Sequence, residues 1–267
     1  MSDGPVLPLA RIPFGASPSF LELVRDERPD AIPPALRERG GEPLAIPHGT
    51  TVLGLKFADG MLMAGDRRAT AGNLIADAKM RKVFPADDYS AIAIAGAAGQ
   101  AVEMVKLFQL ELEHYEKITG SRLSLEGKAN RLAQMIRENF PLAMQGLVVV
   151  PLFGGFDERR AEGRIFYYDA TGGRWEEDDF QATGSGSLPA KNSLKKRWKP
   201  GLSRDEGVRV AVEALIDAAD DDAATGGPDV ARGLYPVLLA VTAEGATEVP
   251  EDEVAAAVAA VLEERAR

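Results

Sequence analysis

The amino-acid sequence predicts an α+β protein in which groups of strands alternate with pairs of helices. Short β-rich runs cluster after position 50, and long segments that follow have apolar residues at three- and four-residue steps. The predicted order is strands, two helices, strands, two helices, one strand and one helix. This order favours layers of sheet and helix over a doubly wound parallel sheet.

The individual elements follow from local signals. Two strands, at residues 52–57 and 61–65, flank an Asp-Gly pair that is typical of a hairpin turn. A second strand pair, at 81–84 and 90–95, is separated by a predicted turn at 85–88. Later strands are predicted at 147–153, 163–169, 180–183 and 236–242. Helices are predicted at 99–118, 124–144, 188–198, 203–220 and 250–265, with a possible short helix around 19–25.

Composition excludes several classes of function. The formal net charge of −10 argues against a nucleic-acid partner. The absence of cysteine excludes disulfides and thiolate metal sites, and only two histidines, His48 and His114, are present to serve a histidine triad or a zinc site. The chain has no run of membrane-spanning length and no secretory signal pattern. We therefore expect a cytoplasmic protein with no cofactor, no metal and no membrane partner.

The composition changes sharply at Thr50. Residues 1–49 hold nine of the 17 prolines and show no sustained helix or strand period, whereas strand-like residues follow Thr50 directly. If the bond between Gly49 and Thr50 is cut, Thr50 gains a free amino group beside its hydroxyl. One residue then supplies both nucleophile and base. An α-amino group, with a pKa of about 7.7–8.0, is a better base near neutral pH than a lysine at about 10.4.

Two charged residues are candidates to support this nucleophile. Asp66 and Lys82 lie 16 and 32 residues beyond Thr50, on or beside predicted strands. Lys82 would be a cation that lowers the pKa of the hydroxyl, and Asp66 would hold it in place. The alternative is an ordinary surface ion pair, which would contribute little. Gly96, between a strand and a helix, could offer its N–H to a developing oxyanion or could simply form a turn.

Six segments resemble the proteasome β-subunit family in its actinobacterial 20S form. They are His48-Gly49-Thr50-Thr51, Met63-Ala64-Gly65-Asp66-Arg67-Arg68, Arg81-Lys82-Val83, Ile94-Ala95-Gly96, Gly184-Ser185-Gly186-Ser187 and Ala224-Thr225-Gly226-Gly227-Pro228-Asp229. Their order and spacing match the family from about residue 48 onward. The resemblance implies a four-layer αββα sandwich, the fold of N-terminal-nucleophile hydrolases. It also implies a propeptide over residues 1–49, removed by self-cleavage, and a catalytic domain over residues 50–267.

The resemblance also assigns roles to further residues. Ser185 would lie beside the threonine amine, and Asp229 would orient that serine. The family usually has a serine three residues after this aspartate, followed by glycine, whereas here Arg232 precedes Gly233. Thr70 and Gly96 match positions whose backbone pairs with an extended substrate. The main specificity pocket matches four mostly apolar positions, which favours cleavage after apolar residues: Ala69, Met80, Ile94 and Ala98.

The activity implied by the resemblance is that of a threonine endopeptidase. Its implied partners are proteasome α-subunits and further β-subunits in stacked seven-membered rings, together with a ring-shaped ATPase that delivers tagged, pupylated proteins. Two alternatives stay open. One is a ring-building subunit without activity, against which the intact Thr50, Asp66 and Lys82 argue. The other is an N-terminal-nucleophile amidase that acts on small molecules.

Overall fold

The computed structural model describes residues 49–71 and 73–267. The possible helix around 19–25 lies outside the described residues, as does the predicted propeptide except Gly49. The described strands are β1 (Thr51–Phe57), β2 (Gly60–Gly65), β3 (Ala69–Ala71), β4 (Leu74–Asp77), β5 (Val83–Asp87), β6 (Ser90–Ala93), β7 (Leu152–Asp157), β8 (Glu162–Tyr168), β9 (Arg174–Glu177), β10 (Phe180–Gly184), β11 (Val237–Thr242) and β12 (Gly245–Glu248).

These strands form two five-stranded antiparallel sheets and one small hairpin. The first sheet has the order β10-β1-β2-β11-β12, and the second has the order β5-β6-β7-β8-β9. Strands β3 and β4 pair only with each other. Strand β1 lies in the interior of the first sheet, so the start of this strand is held by neighbours on both sides.

The described helices are α1 (Ala98–Thr119), α2 (Leu125–Ala143), α3 (Ser187–Arg197), α4 (Arg204–Asp221) and α5 (Glu251–Arg265). Their ends have local causes. Ser124 caps α2, and Ser203 caps α4 in a reciprocal capping box with Glu206. Gly120 ends α1 in the left-handed conformation. No helix within the described ranges combines the length and the apolar character needed to cross a membrane.

Three apolar cores hold the layers together. The first joins one face of the β1 sheet to α3, α4 and α5, and the second joins one face of the β5–β9 sheet to α1 and α2. The third lies between strands of the two sheets. Alternation along β1 shows how one strand serves two cores, because Val52 belongs to the third core while Leu53 and Leu55 belong to the first. Both faces of the central strands are therefore covered.

The structure agrees with the predicted α+β class but corrects several elements. The turn predicted at 85–88 lies at 88–89, since β5 continues through Asp87 with a bulge near Pro85. The strand predicted at 147–153 begins only at Leu152, because the apolar run before it forms a single bridge between Val149 and Gly96. The hairpin β3–β4 and the edge strands β9 and β12 were not predicted. They are short and largely exposed, so they lack the buried alternation that marks a strand.

Candidate active site

The site is centred on Thr50, which directly precedes β1 and is only 6% exposed. The chain is uncut at this point, so the nitrogen of Thr50 is an amide at the position that a free amine would take. Its hydroxyl donates to the carbonyl oxygen of Gly49 at 2.7 Å. Its N–H points to Oγ of Ser185 at 3.4 Å. The hydroxyl therefore lies against the peptide group that it would have to attack.

Gly49 is held in a space that admits no side chain. A Cβ atom at this position would lie 2.5 Å from Cβ of Ala224 and 2.5 Å from Oγ1 of Thr70, distances at which one of the neighbours must move. The structure thus brings Thr70, predicted to pair with substrate, next to the residue that precedes Thr50. The Gly49–Thr50 junction fits its surroundings only with glycine on the upstream side.

Lys82 lies fully buried between β4 and β5, where its ammonium has three acceptors. It donates to Oδ1 of Asp66 at 2.6 Å, to the carbonyl of Arg68 at 2.5 Å and to the carbonyl of Gly49 at 3.3 Å. Burial lowers the pKa of Lys82, while the neighbouring Asp66 opposes this shift and favours the charged form. Three acceptors match the three protons of an ammonium, so the geometry suits a charged lysine that polarises the Gly49 carbonyl.

Asp66 directly follows β2, and its carboxylate ties several segments together. Besides Lys82, it accepts backbone N–H groups of Thr51 at 2.9 Å, Arg68 at 2.8 Å and Gly226 at 2.9 Å. The side chains of Asp66 and Lys82 are both 0% exposed. The alternative of a surface ion pair is therefore wrong. The pair is a buried, fully bonded unit next to Thr50.

The serine predicted beside the amine position is where it was expected, but its partner is different. Ser185 follows β10, and its Oγ donates to Oδ2 of Asp222 at 2.5 Å. The same oxygen of Asp222 accepts the hydroxyl of Thr225 at 2.6 Å. Burial alone would raise the pKa of Asp222, but the hydrogen bonds from Ser185, Thr225 and the backbone of Ala224, together with the charge of Lys82, outweigh it and hold the pKa below its usual value. The prediction that Asp229 orients Ser185 is wrong.

Asp229 and Arg232 lie apart from this network. Asp229 caps a short 3₁₀ helix (Val230–Arg232), accepting the backbone N–H of Arg232 at 3.1 Å and its guanidinium at 3.3 Å. The side chain of Arg232 is 75% exposed. Arg232 thus pairs with Asp229, and neither residue contacts the Thr50 nitrogen.

The two network residues that the sequence analysis missed, Asp222 and Thr225, have a spacing that could have identified them. The spacing of an acid, a hydroxyl three residues later and then a glycine is met by Asp222, Thr225 and Gly226. The sequence interpretation placed that pattern seven residues downstream, at Asp229, where it required an unexplained arginine. The apparent departure from the family pattern at Arg232 therefore arose because the pattern was assigned to Asp229 and not to Asp222. Asp222 directly follows the last turn of α4, where such a residue can face the start of α3.

Gly96 has the geometry of an available backbone donor. Its φ of +115° is a conformation that favours glycine, and an added Cβ would lie 2.1 Å from the carbonyl oxygen of Val148. Gly96 forms an isolated bridge with Val149, whose flanking hydrogen bonds run from Ala97 and Val150. Within residues 49–71 and 73–267, no acceptor takes the N–H of Gly96. This N–H remains a candidate for a substrate carbonyl or an oxyanion.

The four positions predicted for the specificity pocket do not share one environment. Ile94 is 2% exposed and belongs to the second core, against which Met80 packs. Ala69 is half-buried on β3, and Ala98 is exposed at the start of α1. The apolar character of the set is clear, but its role in specificity stays a prediction.

Together, fold and site define an α+β protein with a candidate hydroxyl nucleophile at the start of a central strand, held against a buried lysine–aspartate pair. Comparison with known proteins agrees with this description. The family model described as "Proteasome subunit" matches residues 46–231. A "Proteasome subunit beta" from Streptomyces griseus subsp. griseus is 53% identical over 263 residues, which cover 97% of this chain and 92% of that protein. The chain belongs to the proteasome subunit family, and the resemblance to its actinobacterial β subunits is confirmed.

Proposed function

We propose that this protein is a threonine-type endopeptidase, the β subunit of a proteasome core, which creates its own nucleophile by cleaving the bond between Gly49 and Thr50. One observation carries the proposal: the hydroxyl of Thr50 and the ammonium of Lys82 both donate to the carbonyl of Gly49. A structural subunit has no need of a buried lysine aimed at that carbonyl.

Self-cleavage proceeds as an acyl shift. Oγ1 of Thr50 attacks the carbonyl carbon of Gly49, the C–N bond breaks, and the nitrogen of Thr50 takes up a proton to become an amine. Water then hydrolyses the Gly49 ester and regenerates the hydroxyl. Lys82 stabilises the negative charge that develops on the carbonyl oxygen, because it already donates to that atom in the uncut chain.

In the mature chain the amine of Thr50 acts as the base for its own hydroxyl. Ser185 accepts a hydrogen bond from this nitrogen, since its own proton is directed to Asp222. Asp66 keeps Lys82 charged and in place. The N–H of Gly96 supplies the oxyanion donor, and the backbone of Thr70 and Gly96 aligns an extended substrate. We expect cleavage after apolar residues, on the apolar character of the four predicted pocket positions: Ala69, Met80, Ile94 and Ala98.

The fold and the family membership extend the proposal to the assembly. Three apolar cores between helix and sheet layers support the four-layer αββα sandwich. We expect stacked seven-membered rings with α-subunits, a ring-shaped ATPase that feeds pupylated proteins, and residence in the cytoplasm. Residues 1–49 would then be a propeptide, and residues 50–267 the mature subunit.

Intact-mass measurement of the full-length chain, purified in its assembled form, tests the proposal. We expect the wild-type chain to begin at Thr50 and to hydrolyse peptides with an apolar residue before the cut. Thr50→Ala should stay full-length and inactive, whereas Thr50→Ser keeps a hydroxyl and should still be processed. Trimming of Thr50→Ala in a protease-deficient host would show that another enzyme cuts the junction.

The same preparation separates the two alternatives. A wild-type chain that keeps residues 1–49 after assembly would be an inactive ring-building subunit. A chain that is processed but hydrolyses only small amides, and no peptides, would be a small-molecule amidase.

A further inference from the structure

Thr51, the residue after the candidate nucleophile, makes hydrogen bonds through its side chain as well as its backbone. It is 0% exposed, and its backbone N–H donates to Asp66. Its hydroxyl oxygen lies 2.6 Å from Oγ1 of Thr225 and accepts the backbone N–H of Gly186 at 3.0 Å. Packing alone does not call for a hydroxyl here, because a valine side chain has nearly the same shape as a threonine side chain.

Counting protons fixes the direction of the bond between Thr51 and Thr225. Each hydroxyl carries one proton. Thr225 directs its proton to the carboxylate of Asp222 at 2.6 Å, so the proton between the two threonines belongs to Thr51. The oxygen of Thr51 in turn accepts the backbone N–H of Gly186, so its hydroxyl both donates and accepts. The bonds therefore run in one direction, from a backbone N–H through two hydroxyls to a carboxylate.

The other end of this chain reaches Thr50. Oδ2 of Asp222 accepts hydrogen bonds from Thr225 and from Ser185, and Ser185 in turn faces the nitrogen of Thr50. A hydrogen bond in such a series polarises the next one and restricts its geometry. Without the hydroxyl of Thr51, Oγ1 of Thr225 loses its donor, and the N–H of Gly186 loses its acceptor.

We propose that Thr51 is a positioning residue, whose hydroxyl acts through Thr225 and Asp222 to hold Ser185 in place against the amine of Thr50. The inference rests on the proposed function. It assigns a role in the reaction to a side chain that is buried away from the substrate. The effect of losing its hydroxyl should therefore fall on turnover and not on substrate affinity.

The test compares kcat and KM for peptide hydrolysis by assembled particles. Thr51→Val should lower kcat about tenfold, the order expected when one neutral hydrogen bond is lost from the network, with KM within about twofold of wild type. Thr51→Ser restores the hydroxyl and should recover most of the wild-type kcat. The matched control is Thr183→Val on β10, opposite Val52, which removes a hydroxyl from the same sheet and should leave kcat unchanged.

A double substitution identifies the route of the effect. If Thr51 acts through Thr225, the double variant Thr51→Val with Thr225→Val should be no slower than Thr225→Val alone. Additive losses, a rise in KM in place of a fall in kcat, or a Thr51→Ser variant as slow as Thr51→Val would each overturn the proposal. If Thr51→Val does not assemble, Thr51→Cys replaces it, because a thiol is a weak donor of similar size.

Failure of the proposed function would look different. In that case Thr50→Ala would hydrolyse peptides as fast as wild type, and hydrolysis would not depend on the residues around Thr50, so that neither Thr51→Val nor Thr225→Val would slow it. Loss of activity in Thr50→Ala with a normal kcat in Thr51→Val would refute only the role of Thr51.

Discussion

Replacing Lys82 and replacing Asp66 should damage the protein to different extents, although the two side chains form one buried ion pair. Removal of one partner from such a pair costs about 3–5 kcal/mol. After Lys82→Met, the carboxylate of Asp66 still accepts three backbone N–H groups, so we expect the low end, about 3 kcal/mol.

Asp66→Ala removes the acceptor of those three N–H groups as well as the partner of Lys82. Each buried donor left without an acceptor costs about 1–3 kcal/mol. The loss for Asp66→Ala should therefore reach about 6 kcal/mol, the sum of about 3 for the lysine and at least about 1 for each N–H. At about 2–4 °C per kcal/mol, the melting temperature should fall by about 6–12 °C for Lys82→Met and by at least about 12 °C for Asp66→Ala.

Thermal unfolding of the full-length variants, followed by circular dichroism and paired with peptide hydrolysis, measures both effects. Lys82→Met should abolish hydrolysis while the chain still folds. Lys128→Met is the matched control, because Lys128 forms a second buried pair, with Asp87 at 2.5 Å, in a different part of the fold. It should lose similar stability but keep hydrolysis. A larger fall in melting temperature for Lys82→Met than for Asp66→Ala would refute the reasoning, since the backbone donors would then contribute nothing.

Three further predictions concern the junction and the serine network. Gly49→Ala should stop cleavage of the junction, because its Cβ would collide with Ala224 and Thr70, and intact mass should show an unprocessed chain; full processing would mean that the pocket opens freely. Asp222→Asn should lower peptide hydrolysis at least tenfold, whereas Arg232→Ala should leave hydrolysis near wild type and affect only stability or assembly. The reverse result would favour the original assignment, in which Asp229 is the partner of Ser185. Because the pKa of Asp222 is lowered on folding, its ionised carboxylate stabilises the fold above the unfolded pKa of about 3.9, and this stabilisation is lost as pH falls through the folded pKa. Acid denaturation of Asp222→Asn should therefore lack that part of the pH dependence. An acid-denaturation curve identical to that of wild type would contradict this expectation.

The sequence predicted best those features that depend on a single strand or helix. The helices were predicted to within a few residues, since their apolar spacing and the caps at Ser124 and Ser203 are local signals. Asp66 and Lys82 were recognised because each adjoins a buried strand. The hairpin β3–β4 was missed because its exposed residues, such as Leu74 and Ile75, show no inside–outside pattern.

The hydrogen-bond network around Ser185 could not be predicted from the sequence, because it depends on contacts between distant residues. Ser185 and Asp222 are 37 residues apart and meet only because α3 and α4 pack against the same face of the β1 sheet. Asp222 and Asp229 are each followed, three residues later, by a residue that precedes a glycine. Only the hydroxyl of Thr225 at that position distinguishes Asp222 as the partner of Ser185. The position of Thr51 in the network could not be predicted at all, because its neighbours Gly186 and Thr225 lie far away along the chain.

If the proposed self-cleavage occurs, the carboxylate of Asp66 should also influence when the junction can react. It gathers groups from Thr51 to Gly226, a span that covers most of the chain. During synthesis the Gly49–Thr50 bond leaves the ribosome early, while Gly226 follows about 175 residues later, roughly 10–35 s at ordinary elongation rates. Until then the carboxylate that holds Lys82 lacks one of its three backbone donors. If the junction is cut as proposed, we expect the cut to wait until the chain around Asp66 has folded, so that a nascent chain is not cleaved before its catalytic domain exists.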